Sequence, residues 1–233
     1  MIYVISDLHG CAVADIEALL ERGGFTEEDF LFVLGDVIDR GEHGAELLLW
    51  LTQQPNVQFI LGNHEAMMLA CAFLFNEVTD ENLDSLTVED LKRLDHWKRN
   101  GGTTTIAGMR KLLKEDPELV EGILAYLREA PLYDIVDAGG RKFVLVHGGL
   151  GNFEPEKPLE DYGPMELLWT RPTLDTVYYP DATVILGHTP TVCYGEEHRG
   201  KILRTATWIN IDAGVSMGCK PALLRLDDLR ALY

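Results

Sequence analysis

At 233 residues the chain is long enough for one large α/β domain, and its apolar share of 46% is ordinary for a globular protein. Lys and Arg number 20 against 38 Asp and Glu, a formal charge of -18, which argues against long nucleic acid as a partner because binding to a phosphate backbone is driven by cationic side chains. No stretch approaches the roughly 20 apolar residues that span a bilayer, Met1 leads into an apolar run rather than a basic leader, and Cys11, Cys71, Cys193 and Cys219 form no CxxC pair, so a cytoplasmic protein with reduced thiols and no membrane partner is expected.

Three apolar runs, Ile2 to Ile5, Leu31 to Leu34 and Val57 to Leu61, each end in turn residues and read as buried strands. Between them, Ala12 to Arg22 carries Ile16, Leu19 and Leu20 at helical spacing and stops at Gly23-Gly24. Gly44 to Gln54 repeats the pattern with Leu47, Leu48 and Leu51 and stops at Pro55. Strands alternating with helices predict βαβ units and a parallel sheet. Met67 to Phe75 reads as a helix and Asn76 to Ser85 as a polar, acidic loop. Thr87 can cap a helix running to about Lys98, Thr104 to Leu113 forms another, and Asp116-Pro117 starts a third. Residues 66–130 are therefore expected to form a mostly helical insertion, packed as a cap beside the sheet edge of a single domain spanning residues 1–233. Strands return at Leu132 to Val136, Lys142 to His147, Thr183 to Leu186, Ile202 to Thr205, Trp208 to Ile211 and Ala222 to Leu226, with a hairpin turn at Gly139-Gly140. A second sheet, mixed or antiparallel, follows.

Each of the first three strands runs into a polar motif: Asp7-Leu8-His9-Gly10, then Gly35-Asp36-Val37-Ile38-Asp39-Arg40-Gly41, then Gly62-Asn63-His64-Glu65. In an open α/β sheet such strand ends are where ligands bind. Two later strands also end in histidine, His147 before Gly148-Gly149 and His188 before Thr189-Pro190. Carboxylates, an amide and imidazoles gathered at one edge predict a metal site. The mixed nitrogen and oxygen donors, without thiolate, favour Mn, Fe or Zn over Mg or Ca.

The ordered set DLHG, GDVIDRG, GNHE, VHGG and GHTP resembles the calcineurin-like metallophosphoesterase superfamily. GDVIDRG with GNHE resembles its phosphoprotein phosphatase branch, and Trp97-Lys98-Arg99-Asn100-Gly101-Gly102 is similar to a stretch of the small bacterial and bacteriophage members. The resemblance implies an α/β metallophosphoesterase-type β-sandwich of two mixed sheets flanked by helices. It implies two divalent metal ions, Mn2+ first and Fe or Zn as alternatives. Asp7, His9 and Asp36 would hold one ion, and Asp36, Asn63, His147 and His188 the other, with Asp36 bridging. A metal-bridging hydroxide would attack phosphorus directly. His64 matches the family's proton donor, with Asp39 holding its imidazole, and Arg40 and Arg171 match phosphate-binding arginines.

Two enzymatic readings follow from this resemblance. The first is a serine/threonine phosphatase, with phosphotyrosine as a further target, acting on a phosphorylated protein or peptide. The alternative is a symmetrical dinucleoside tetraphosphate hydrolase, a group that tends to carry Ala in place of Asp39 and Asp in place of Glu65. Those two positions favour the phosphatase at this stage. A non-catalytic scaffold ranks third, because every ligand position is intact. The acidic run Asp80 to Asp84 is expected to disfavour acidic peptides, and oligomeric state is left open.

Overall fold

The computed structural model describes residues 1–75 and 86–233. The expected loop Asn76 to Ser85, with its acidic run, lies outside the described residues.

The first sheet has the order β10-β9-β1-β2-β3, built from β1 (Ile2–Ile5), β2 (Phe30–Leu34), β3 (Val57–Ile60), β9 (Leu223–Arg225) and β10 (Arg230–Leu232). β1, β2 and β3 are parallel, with Tyr3 opposite Leu31 and Leu31 opposite Val57. β9 and β10 add an antiparallel edge. The second sheet has the order β4-β5-β6-β8-β7, from β4 (Tyr133–Ala138), β5 (Arg141–Val146), β6 (Ala182–Leu186), β7 (Leu203–Arg204) and β8 (Trp208–Asn210). It is mixed: β5, β6 and β8 run parallel, and β4 and β7 pair antiparallel at the edges.

The unbroken apolar runs of β1 and β2 have a physical cause. A parallel strand covered on both faces has no solvent side to make polar. Val4, Phe32, Leu34 and Ile60 point between the sheets, where they meet Phe143, Leu145, Ile185 and Ile209. Tyr3, Ile5, Leu31 and Val33 point the other way, into a helical layer. That layer contains α1 (Val13–Gly23) and α2 (Gly44–Thr52), whose buried Ile16, Leu19, Leu47 and Leu48 are the residues read at helical spacing.

The helices α4 (Val88–Arg99), α5 (Thr103–Glu115) and α6 (Pro117–Glu129) extend the same layer. Trp97, Met109, Ile123 and Leu124 belong to one core cluster with Tyr3 and Leu31. Their starts follow the expected chemistry. Thr87 Oγ1 accepts from the Asp90 amide at 3.1 Å while Asp90 Oδ2 accepts from the Thr87 amide at 3.0 Å. Asp116 Oδ1 accepts from the Leu119 amide at 3.0 Å ahead of Pro117.

One boundary differs in a way that matters for the site. The helix expected from Met67 begins earlier, as α3 (Asn63–Ala70), and ends in a 3-10 turn over Ala72–Phe75. Asn63 and His64 therefore sit on the first helical turn. A short helix, α7 (Pro164–Leu168), and strand β10 were not anticipated. No helix among the described residues is long and apolar enough to cross a membrane.

Candidate metal centre

Five strand ends converge on one buried cluster. β1 leads to Asp7 and His9, β2 to Asp36, Asp39 and Arg40, and β3 to Asn63 and His64; β5 leads to His147 and β6 to His188. Asp7, His9, Asp36, Asp39, Arg40 and His188 all have positive φ, between 41° and 69°. A non-glycine residue in that region costs roughly 1–3 kcal/mol and persists only where its surroundings over-determine it. Here the Asp7 amide donates to Gly35 O at 3.1 Å, the His9 amide to Asp36 O at 2.9 Å, and the Gly187 amide to His147 O at 2.8 Å, so each turn is clamped to the next.

Asp36 is the hub. Its Oδ1 lies 3.4 Å from His147 Nε2 and accepts from the His64 amide at 3.0 Å. Its Oδ2 lies 3.7 Å from His64 Nε2 and 3.9 Å from His9 Nε2. Two triads share this carboxylate, His9–Asp36–His64 and Asp36–His147–His188, with the donor atoms of each triad within 4.8 Å of one another. Asn63 joins the second group, its Oδ1 standing 2.9 Å from His147 Nε2. Asp7 belongs to neither triad. Both of its oxygens accept from the His188 amide, at 3.1 and 3.0 Å, which ties the turn after β1 to the turn after β6. Gly187 leaves room for it, since a Cβ there would lie 2.1 Å from Asp7 Oδ2.

The imidazoles are oriented from behind. His9 Nδ1 lies 3.1 Å from Ile38 O, and His147 Nδ1 lies 2.7 Å from Leu34 O. Each carbonyl accepts a hydrogen bond from Nδ1 and turns Nε2 toward the cluster. His188 Nε2 is buried with no hydrogen-bond partner. An open imidazole nitrogen beside a shared carboxylate fits a divalent cation, as does a donor set of nitrogen and oxygen only.

Electrostatics divide the cluster: burial would lower His147, but Asp36 and Asp7 outweigh it and raise it to about 10. Burial alone would raise the Asp36 carboxyl, but His147, His64 and His9 outweigh it and hold Asp36 well below the usual carboxylate range. Burial pushes His9 down to about 3 and His188 to about 2, which keeps both neutral. His64 moves the other way. Burial lowers it, yet Asp36 and Asp39 prevail and raise it above an ordinary histidine.

The remaining predicted residues surround this core. Arg40 places Nη1 2.8 Å from His9 Nε2 and Nη2 3.2 Å from His64 Nε2 at the exposed mouth. Arg171 Nη1 donates to His188 O at 3.1 Å and to Thr189 Oγ1 at 3.0 Å, which anchors it on the second triad's loop.

Asp39 is fully buried and never reaches the mouth. Its Oδ2 lies 2.6 Å from His64 Nδ1 and accepts from Trp97 Nε1 at 2.7 Å, and its Oδ1 accepts from Thr105 Oγ1 at 2.6 Å. Trp97 and Thr105 were missed as site residues. The available signal was an indole on an otherwise polar helix, because a buried indole N–H needs an acceptor. The Gly101-Gly102 turn serves the same region: the Arg40 amide donates to Gly101 O at 3.1 Å, and a Cβ on Gly102 would lie 2.6 Å from Trp97 Nε1.

Glu65 is also fully buried. It accepts from the Asp36, Val37 and Ile38 amides at 2.9, 2.9 and 3.3 Å, and so holds the loop that presents Asp36. Burial and the adjacent Asp36 push its carboxyl up to about 7, against the pull of those amides.

With this geometry in place, comparison with known proteins is decisive at the family level. The calcineurin-like phosphoesterase family matches residues 1–207. The chain belongs to that family. Its members use two divalent metals, which accords with the paired triads. A curated relative from Actinobacillus succinogenes, named symmetrical bis(5'-nucleosyl)-tetraphosphatase, is 39% identical over 101 residues. The match covers 42% of this chain and 36% of that relative's length. Among solved structures, a protein put forward as a diadenosine tetraphosphatase aligns with a TM-score of 0.61 at 17% identity, covering 99% of this chain and 90% of the other. A cold-active protein tyrosine phosphatase aligns at 0.60 and 18%, covering 99% and 74%. At such identities the two structures establish the fold alone.

These findings correct the first reading. The curated relatives carry the tetraphosphatase name, which overturns both the serine/threonine phosphatase assignment and the phosphorylated protein or peptide as partner. The physical reason is in the structure. The branch was chosen on Asp39 and Glu65, and both are wholly inside the protein, one holding His64 and the other a backbone loop. Neither can read a substrate.

Proposed function

We propose that this chain hydrolyses dinucleoside tetraphosphates symmetrically, to two nucleoside diphosphates. The observation that carries the reading is the 39% identity to a relative bearing that activity's name. The site is compatible with it. Asp7, His9 and Asp36 would hold one divalent cation, and Asp36, Asn63, His147 and His188 a second, with Mn2+ the ion to test first. Bound there, two cations would supply Lewis acidity toward a phosphoryl group and would lower the pKa of a water.

The chain's own residues do the rest. Arg40, at the mouth between His9 and His64, offers a planar fork to phosphate oxygens. Arg171, anchored on the His188 loop, extends the same grip. His64, raised above an ordinary histidine and held through Nδ1 by Asp39, delivers a proton from Nε2 to the departing oxygen. A nucleoside diphosphate leaves as a stable anion, so this step is less demanding than expulsion of a serine alkoxide. Local cations also reverse the sign of a chain whose formal charge is -18, which would otherwise repel a polyphosphate.

Diadenosine tetraphosphate, p-nitrophenyl phosphate and a phosphoserine peptide, assayed side by side with Mn2+, test the reading. The dinucleotide should be preferred, with ADP as the sole nucleotide product. AMP plus ATP would contradict symmetrical cleavage, and preference for the peptide would overturn the proposal.

A further inference from the structure

Beside the metal centre lies a cleft that the chemistry above does not use. We infer that the cleft between α3, α4 and Trp169 is a nucleobase subsite; this rests on the dinucleotide reading just given. The cleft encloses about 420 Å³, within the range of roughly 300–1,000 Å³ that holds small ligands.

Its position ties it to the reaction. Trp169 stands edge-on to His188, with ring centroids 6.0 Å apart and planes at 83°. On the α3 side the cleft is lined by Ala66, two residues beyond His64, and by Ala70 one turn later. A ligand whose phosphates lie on the paired triads would therefore have its next group at this cleft.

Its chemistry selects a flat ring. The floor is small and apolar. The indole of Trp169 and the imidazole of His96 form an aromatic wall of two rings tilted against each other, centroids 6.2 Å apart and planes at 46°. Successive bases bind such walls by stacking, whatever their hydrogen-bonding edges, because every base has a π face. A ribose-phosphate emerging from the cleft would meet Lys92 and Arg93 at the rim. Lys92 reaches Glu89 only at the limit of an ion pair, 3.9 Å, on a side chain that is 72% exposed, whereas Arg93 donates to Asp90 Oδ1 at 3.3 Å. The exposed Lys92 pair is weak, so this cation can turn toward a phosphate, and Arg93 adds positive charge beside it. An acidic chain thus places cations where a nucleotide's charge would lie.

The test uses the full chain loaded with Mn2+. His96→Ala removes half of the aromatic wall from an exposed position, and Ala70→Phe fills the floor from the rim. In each, KM for diadenosine tetraphosphate should rise about tenfold, the effect of losing one stacked base. The inhibition constant of inorganic tripolyphosphate, which has no base, should stay within about twofold, because it reports phosphate binding alone. Equal shifts in both constants, or none in KM, would overturn the subsite while leaving the tetraphosphatase reading intact. A wild-type chain that does not hydrolyse the dinucleotide would instead remove that reading. Tryptophan fluorescence then decides the subsite by itself: saturable quenching by ADP that disappears in Trp169→Phe retains it, and no quenching discards it.

Discussion

The histidines at the strand ends and those on the helical layer live under different rules. His9, His64, His147 and His188 are buried, and their backbone positions are set by turns clamped to one another across both sheets. His96 on α4 is exposed, on a helix whose other face packs in the core through Trp97. In the first arrangement each residue is held by several others, as Asp36 is by His64, His147 and His9. The second can be changed freely at its surface. Donor atoms held close together therefore stand at the sheet ends, while the helical surface is left open to variation.

This contrast breaks down if the strand-end residues prove tolerant. Asp36→Asn should lower turnover by roughly 10³ or more and remove both cations, because one carboxylate serves both triads. Metal content by mass spectrometry checks it, and a variant that still binds two ions would contradict the hub role. His64→Asn should lower turnover by roughly 10² while metal content stays at wild-type level, as expected for a proton donor. Loss of metal from that variant would instead assign His64 to its triad as a ligand.

Two smaller effects sharpen the boundary between the regions. Gly187→Ala should destabilise the fold by about 1–3 kcal/mol, since the added methyl overlaps Asp7 Oδ2. Thermal melts would report it, and an unchanged midpoint would mean that the β6 turn is looser than its contacts suggest. Trp97→Phe cuts one tie from the helical layer into the centre, beside that of Thr105 to the same carboxylate. It removes a buried donor from Asp39 and should cost about 1–3 kcal/mol. Because Asp39 holds His64, kcat should fall as well; a variant that loses stability with full kcat would separate the helix from the chemistry.

Much of this molecule was legible before any coordinates. The strands β1 and β2 announce themselves because burial on both faces forces continuous apolar runs, and the caps at Thr87 and Asp116 are local hydrogen-bond chemistry. The residues that gather at the strand ends were legible too, since each follows its strand directly. What the sequence could not display was direction. Asp39 and Glu65 sit in motifs beside Arg40 and Asn63, and nothing local distinguishes a carboxylate that faces the mouth from one turned inward.

The tertiary structure decided that question. Asp39 points to Trp97 and Thr105, 58 and 66 residues away in the chain, and Glu65 points to backbone amides on the β2 loop. The positive φ values at Asp7, His9, Asp36 and His188 are likewise imposed from outside, by hydrogen bonds to turns distant in the chain. By itself the sequence determined which residues exist at the strand ends and the alternation that brings them there, because those follow from local pattern. Which of them face substrate, and the cleft formed by His96 and Trp169 from separate segments, depend on long-range packing that no local pattern contains.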